Sequence, residues 1–366
     1  MKLGYFLRNQ VSKLHQFLRR VSYLFEYLLW LIFSFSKFKK HPLKVNKVLI
    51  INYGALGDIF VSLRIIRALK ANNKNITFYF LTTEEYRDKI RFLEKDLGIK
   101  VINEDELKEG FDMSIFLSPS YFLKEHRKYL GYCVGNEYSS AKASFLSFNG
   151  LFLNKKRFPK MLHKVEQERY VCRLAGLKIS NDRCKNPCNK SKKFVVVHPS
   201  GKNFVEIFRK NKIPAYSWPL DRFSGIIDYI SKKYGYEVIL TGTKEEKEII
   251  EQVIGNTHYK KKIHNFAGKL NVKNLVKLVD SSKLVIGIDT SIIHIAEFTS
   301  TPVIVLHGPG FPEVVGSYGC ENQRNLKSKA RCIKCRKKSE CPERENICMK
   351  SISIEEVKNA IDELLR

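Results

Sequence analysis

Four short stretches carry most of the residues that could act on a charged ligand. HPSGK at 198–202 offers the Ser200 hydroxyl, the backbone of Gly201 and the Lys202 ammonium directly after an apolar run. TGTKEE at 241–246 puts Gly242 in a turn with Glu245 or Glu246 behind it as an acceptor for sugar hydroxyls. DTSIIH at 289–294 joins Asp289, Thr290 and Ser291 to His294 one turn later. Hydroxyls, an ammonium and a helix N-terminus make a site for a diphosphate. The fourth stretch, NYGALGD at 52–58, ends on Asp58 at the start of a helix, where the dipole favours an anion that projects into any cleft beyond the strand. Each stretch also has a plain structural explanation. Asp58 would be an N-cap, Thr290 and Ser291 the caps of a crossover helix, and His294 a partly buried core residue.

These residues need elements that hold them at the ends of strands. Lys47–Tyr53 reads as an apolar strand, Asp58–Asn72 as an amphipathic helix, Ile76–Leu81 as a strand, Glu84–Leu97 as a helix, and Val101–Ile102 and Met113–Leu117 as strands. Arg127–Gly135 holds a further strand, and His163–Leu177 is a helix ended by Gly176. Residues 178–192 are polar and basic, as in a linker. The pattern then restarts, with strands at Phe194–His198, Glu237–Leu240, Leu284–Ile288 and Val303–Leu306. Helices are expected at Leu220–Lys233, Lys244–Ile254, Leu270–Ser281, Ser291–Phe298 and Ile354–Leu365. The expected fold is α/β, with two Rossmann-like doubly wound domains facing a cleft. The divisions are 1–44, a basic amphipathic helical extension; 45–185, a first domain; 186–350, a second; and 351–366, a closing helix.

In residues 1–44, Leu7, Val11, Leu14, Leu18, Val21, Phe25, Leu28, Ile32 and Phe35 recur at steps of four and three, with nine basic residues and one acid around them. Its most apolar run, Tyr23–Phe35, is 13 residues, short of the ~20 that span a bilayer. No small-residue cleavage site follows, which argues against a signal peptide. A helix lying on an anionic membrane surface fits best; a coiled coil and a helix docked on the protein body are the alternatives.

The whole chain has 65 basic and 37 acidic residues, a net charge of +28, which calls for an acidic partner. The lysines are scattered and no nucleic-acid module is recognisable, so nucleic acid is not the expected partner. Neither a Walker lysine motif nor a G-x-G-x-x-G stands at a strand end, which sets aside P-loop and NAD chemistry. Nine cysteines are an odd count that favours reduced thiols. Four of them, Cys332, Cys335, Cys341 and Cys348, have a spacing that admits a structural zinc; a cluster of reduced thiols is the other reading.

From about Val45 to Arg366 the chain resembles glycosyltransferase family 9, the ADP-heptose:lipopolysaccharide heptosyltransferases and their relatives. The likeness rests on GALGDIFVSLRIIRALK, on VVVHPSG followed by SWPLDRF, and on the closing CIKCRKKSECPERENICM. It is most specific in NFAGKLNVKNLVKLVDSSKLVIGIDTSIIHIAEFTSTPVIVLHGPGFP. The resemblance implies a GT-B fold and inverting, metal-independent transfer of heptose or a related sugar from a nucleotide-diphosphate sugar to a lipopolysaccharide-core acceptor. Asp58 matches the family's proposed general base. Ser200, Gly201, Lys202 and the Thr290–Ser291 helix end would hold the diphosphate, with Asp289 and His294 near the donor. The implied location is cytoplasmic, peripheral on the inner face of the inner membrane. Two positions depart from the pattern: Tyr216 stands where the family has a basic residue before Trp218, and Ser291 replaces a glycine. Lys202, Arg209, Lys210 and Lys212 are the basic residues nearby. The competing reading is a catalytically silent sugar-nucleotide- or membrane-binding protein of the same fold.

Overall fold

The computed structural model describes residues 42–118, 126–136, 150–153, 162–180, 193–201, 204–308, 310–330, 341 and 345–366. The expected N-terminal extension, Lys202, Cys332 and Cys335 lie outside them, apart from the last few residues of the extension.

Two parallel six-stranded sheets organise the chain. The first contains β1 (Lys47–Ile51), β2 (Thr77–Leu81), β3 (Lys100–Ile102), β4 (Met113–Phe116), β5 (Tyr132–Asn136) and β6 (Gly150–Leu153), in the spatial order β3-β2-β1-β4-β5-β6. The second contains β7 (Phe194–His198), β8 (Glu237–Leu240), β9 (Ile263–Asn265), β10 (Leu284–Ile288), β11 (Val303–His307) and β12 (Gln323–Lys327), in the order β9-β8-β7-β10-β11-β12. Counted within each sheet, both orders are 3-2-1-4-5-6, the doubly wound arrangement. The direction of winding reverses between β1 and β4 and again between β7 and β10, where Ile50 pairs with Ile115 and Ile286 with Val197. Ligands bind beyond the carboxyl ends of strands at such reversals.

The helices used below are α1 (Leu56–Asn72), α2 (Glu84–Ile90), α3 (Lys164–Leu174), α4 (Leu220–Lys233), α5 (Lys247–Gly255), α6 (Val272–Ser281), α7 (Ser291–Phe298) and α8 (Ile354–Leu365). The strands are apolar on both faces because helices cover both. Val48 and Ile50 join one core while Leu49 and Ile51 join another, as the two-residue period of a strand requires. The larger core runs from the first sheet through α1 and α7 into the second. Helix α1 is therefore buried well beyond one stripe, including Ser62 and Arg64, because it lies between its own sheet and α7. A third core joins the other face of the second sheet to α4, α5 and α8, around Trp218, whose indole N–H donates to the Ile352 carbonyl at 2.9 Å.

Several boundaries differ from expectation. The helix expected over Glu84–Leu97 is broken into α2, a 3-10 turn and the short helix Glu94–Leu97. Strands β6, β9 and β12 and the helix Phe204–Arg209 had no counterpart in the pattern. Ile263–Asn265 and Gln323–Lys327 are short and largely polar, so they carry no apolar run to mark them. Among the described residues no helix is long and apolar enough to cross a membrane.

Candidate active site

Asp58 is the third residue of α1, and Ala55 holds the N-cap position. One carboxylate oxygen, Oδ2, accepts the Ala55 N–H at 3.1 Å; the other, Oδ1, pairs with the Lys164 ammonium of α3. One oxygen thus serves the helix end and the other meets an ammonium, and about a third of the side chain is exposed. The turn before it has room only for glycine at position 54, where a Cβ would lie 2.6 Å from Asp58 Oδ2. Asn52, buried after β1, accepts the Gly54 N–H and donates to Ser62, which donates in turn to Glu168 Oε2 at 3.0 Å.

On the second sheet, the loop after β7 meets the loop after β10. A Cβ on Gly201 would sit 3.3 Å from Ile288 and 3.4 Å from Thr290. Ser200 is fully buried, and among the described residues its hydroxyl has no hydrogen-bond partner. The expected capping of α7 by side-chain hydroxyls does not occur. Thr290 is the N-cap residue, but its Oγ1 donates back to the Ile288 carbonyl at 3.3 Å, leaving the first N–H groups of the helix without that acceptor. Gly242 and Glu246 also come together, with Glu246 buried and its Oε2 accepting the Thr243 N–H at 2.7 Å. That oxygen shapes the turn, and a hydrogen bond between the Thr241 hydroxyl and His198 Nδ1 links this loop to the β7 strand end.

The two halves meet where α1 crosses α7. At Gly57 a Cβ would lie 2.8 Å from His294 Cδ2 and 3.5 Å from the Ser291 Cα, so the turn carrying Asp58 rests directly on the 289–294 loop. His294 Nδ1 bonds Glu297 Oε2 at 2.8 Å. Burial opposes the imidazolium, but the bond and charge of Glu297, with Asp289, outweigh it and raise His294 above its ordinary value. Burial likewise opposes the Glu297 carboxylate, while His294 and Arg64 hold it below the usual range. On α3, burial lowers Lys164 despite the charges of Glu168 and Asp289. Burial also pushes Glu168 up to about 7, against Lys164 and the Ser62 hydrogen bond.

Of the expected residues, Asp58, Ser291 and His294 form one constellation, with Asp289 within electrostatic reach of Lys164 and His294. Ser200, Gly201 and Thr290 adjoin it from the second sheet. Lys164, Glu168, Arg64 and Glu297 had not been singled out. Arg209 pairs with Glu248 at 3.0 Å, and Lys210 pairs with Glu206, so both are committed to exposed ion pairs. Of the cysteine quartet, Cys341 and Cys348 are buried free thiols, the second bonding the Asn346 side chain at 3.4 Å. Among the described residues no group of three or more His, Cys, Asp or Glu could hold a metal. Cys320 is disulfide-bonded, whereas the odd cysteine count favoured reduced thiols over a disulfide framework.

The profile of glycosyltransferase family 9 (heptosyltransferase) matches residues 132–345. Lipopolysaccharide heptosyltransferase 3 of Escherichia coli K12 is 34% identical over 116 residues, 31% of this chain and 30% of that protein. Lipooligosaccharide heptosyltransferase 2 of Haemophilus influenzae is 23% identical over 238 residues, 60% of this chain and 66% of that one. Matched stretches therefore span between about a third and two thirds of these relatives' lengths. Among solved structures, a family 9 glycosyl transferase from Veillonella parvula superposes with a TM-score of 0.66 at 16% identity, covering 89% of this chain and 99% of that one. The Escherichia coli heptosyltransferase WaaC with ADP gives 0.64 at 16% identity, covering 87% and 99%. Those structures share the GT-B fold seen here, and with the profile spanning more than half of its residues, the chain belongs to glycosyltransferase family 9.

Proposed function

We propose that this protein transfers heptose, or a related sugar, from a nucleotide-diphosphate sugar to a lipopolysaccharide-core acceptor, with inversion at the anomeric carbon. ADP-heptose is the favoured donor, since a neighbour of the same fold is described with ADP. The observation that carries the reading is the contact at Gly57, which brings the candidate base Asp58 against the loop and helix end suited to a diphosphate. Residues 45–185 then form the acceptor side, 186–350 the donor side and 351–366 a closing helix.

In this mechanism the acceptor hydroxyl gives its proton to Asp58 Oδ1 as its oxygen attacks the anomeric carbon. The bond to the diphosphate breaks on the opposite side, and a nucleoside diphosphate leaves. The charge that develops on it is met by the free N–H groups of α7, the Ser200 hydroxyl, the Gly201 backbone and the His294 ring; Lys202, outside the described residues, is the cation that the sequence offers next to Gly201. Lys164 keeps a positive charge beside Asp58 until the acceptor enters. These fixed groups supply the compensation that a divalent metal gives in other transferases. The basic residues of 1–44 and the net charge of +28 favour a position at an anionic membrane surface, the inner face of the inner membrane, where such an acceptor is found.

The test is Asp58→Ala, assayed with ADP-heptose and a heptose-deficient core acceptor. Transfer should fall by about 10²–10⁴-fold, with ADP affinity held within threefold. Transfer at the wild-type rate would instead favour the silent sugar-nucleotide-binding reading.

A further inference from the structure

The junction between the halves holds a buried chain of charges that the transfer mechanism leaves unused. Arg64 on α1 and Glu297 on α7 have side chains only 3% and 2% exposed, and their nearest charged atoms are 3.6 Å apart. Arg64 Nη1 also donates to the Tyr318 carbonyl at 2.9 Å, and the Tyr318 N–H donates to Glu297 Oε1 at 2.7 Å. The other carboxylate oxygen, Oε2, holds His294 Nδ1. Both oxygens of Glu297 are therefore engaged, and the carboxylate cannot turn. Burying two charges carries a large desolvation cost before they pair, and an apolar side chain would pack between α1 and α7 without that cost. The arrangement calls for a use other than stability.

We infer that Glu297, braced by Arg64 across the junction, is a positioning residue that pins His294 by Nδ1 so that its Nε2 edge faces the donor phosphates beside Gly57. This rests on the donor site proposed above. The Cδ2–Nε2 edge is the one that meets the first turn of α1: a Cβ on Gly57 would lie 2.8 Å from Cδ2 and 3.6 Å from Nε2. With Nδ1 donating to Glu297, Nε2 carries a proton only in the imidazolium, and only then can it donate to a phosphate oxygen. His163, Lys164 and Glu168 from α3 and its N-cap, and Asp289 and His307 from the second sheet, also act on the ring, while Asp58 and Arg64 are the charged residues of the neighbouring turns of α1, Arg64 acting on Glu297. These are of mixed sign, so the hydrogen-bonded Glu297 decides its state. Because Arg64 belongs to the first half, the brace is complete only when the halves are closed on each other.

The experiment follows the ring directly. Histidine side-chain resonances of the full-length protein are titrated by NMR from pH 5 to 9, with His294→Gln identifying the signal, for wild type and Glu297→Gln; ADP affinity is measured by calorimetry over the same range. Wild-type His294 should lose its proton above the midpoint of a solvent-exposed histidine, and Glu297→Gln should lower that midpoint by at least one pH unit. The variant should bind ADP about tenfold more weakly at pH 7.5, with the gap narrowing near pH 5.5, where both rings are charged. An equal midpoint in the two proteins, or equal ADP affinity at pH 7.5, overturns the inference. If Glu297→Gln does not fold, the wild-type titration decides: a His294 midpoint below that of an exposed histidine overturns it, and one above it together with ADP binding that weakens through that midpoint supports it. Failure of wild type to bind ADP at all would refute the donor site, while the two midpoints would still report on Glu297.

Discussion

Substituting Gly57 by alanine tests whether the close approach of α1 and α7 is what makes the site. The added methyl would fall 2.8 Å from His294 Cδ2, closer than real contacts allow, and the ring cannot swing away because Glu297 holds it at 2.8 Å. The next neighbour is backbone, the Ser291 Cα at 3.5 Å. Relief must come from sliding the helices apart. Overpacking of this kind costs about 1–3 kcal/mol, and the better helix propensity of alanine returns at most about 1 kcal/mol. A net loss of about 1–2 kcal/mol corresponds to a Tm lower by about 1–3 °C in a protein of this size. The effect on turnover should be larger, because a misplacement approaching 1 Å between base and donor can cost about 10²-fold in rate. Thermal unfolding and the transfer assay would be run beside Gly110→Ala, whose Cβ would meet nothing within 4 Å. A Gly57→Ala protein with unchanged or raised Tm and transfer within twofold of wild type would refute the reasoning, since propensity alone would then have decided the outcome.

Ser200→Ala should leave the ligand-free Tm within about 1 °C or raise it, because the lost hydroxyl is buried without a partner among the described residues, and should weaken ADP binding about tenfold; unchanged affinity in calorimetry would remove Ser200 from the donor site. Glu168 binds its proton more tightly in the folded chain than in the unfolded one, so its contribution is present below the ordinary carboxylate range and is lost as pH rises through about 7. Glu168→Gln, which can still accept from Ser62, should therefore unfold at higher denaturant than wild type at pH 8, by about 1–3 kcal/mol, and converge with it near pH 4.5. Equal stability at both pH values would count against the burial of that carboxylate.

What could be read from sequence depended on how local the signal was. Strands β7, β8 and β10 and helices α4, α7 and α8 have the bounds expected from their apolar periods, because buried parallel strands and amphipathic helices write their environment into neighbouring residues. That the candidate residues would stand at strand ends was legible for the same reason: a reversal point needs small and polar residues just where the apolar run stops. Lys164, Arg64 and Glu168 were not, since their partners are remote in the chain. Ser62 meets Glu168 from 106 residues away, and Arg64 meets Tyr318 from 254. No window of periodicity contains such a pair. Glu297 did leave a local trace, as the only acid in the largely apolar SIIHIAEF and three residues after His294. The Thr290 hydroxyl misled because an N-cap residue type does not fix which carbonyl or N–H its side chain will choose.

The crossing of α1 and α7 also sets a schedule for biosynthesis. Helix α1 is made early, yet Arg67 waits for the Phe298 carbonyl, 231 residues later, and Arg64 waits longer still. At about 5–20 residues per second, the first sheet spends on the order of ten seconds or more outside the ribosome with the face of α1 that will hold Phe298 and Glu297 uncovered. During that interval Phe60, which ends edge-on to Phe298 with ring centroids 5.4 Å apart, lacks that ring, and the Arg64 guanidinium lacks the Glu297 carboxylate and the Tyr318 carbonyl. An apolar surface interrupted by a buried-to-be cation is a poor template for self-association, so the same arginine that braces the finished junction helps keep the unfinished half-protein from pairing with its neighbours on a polysome.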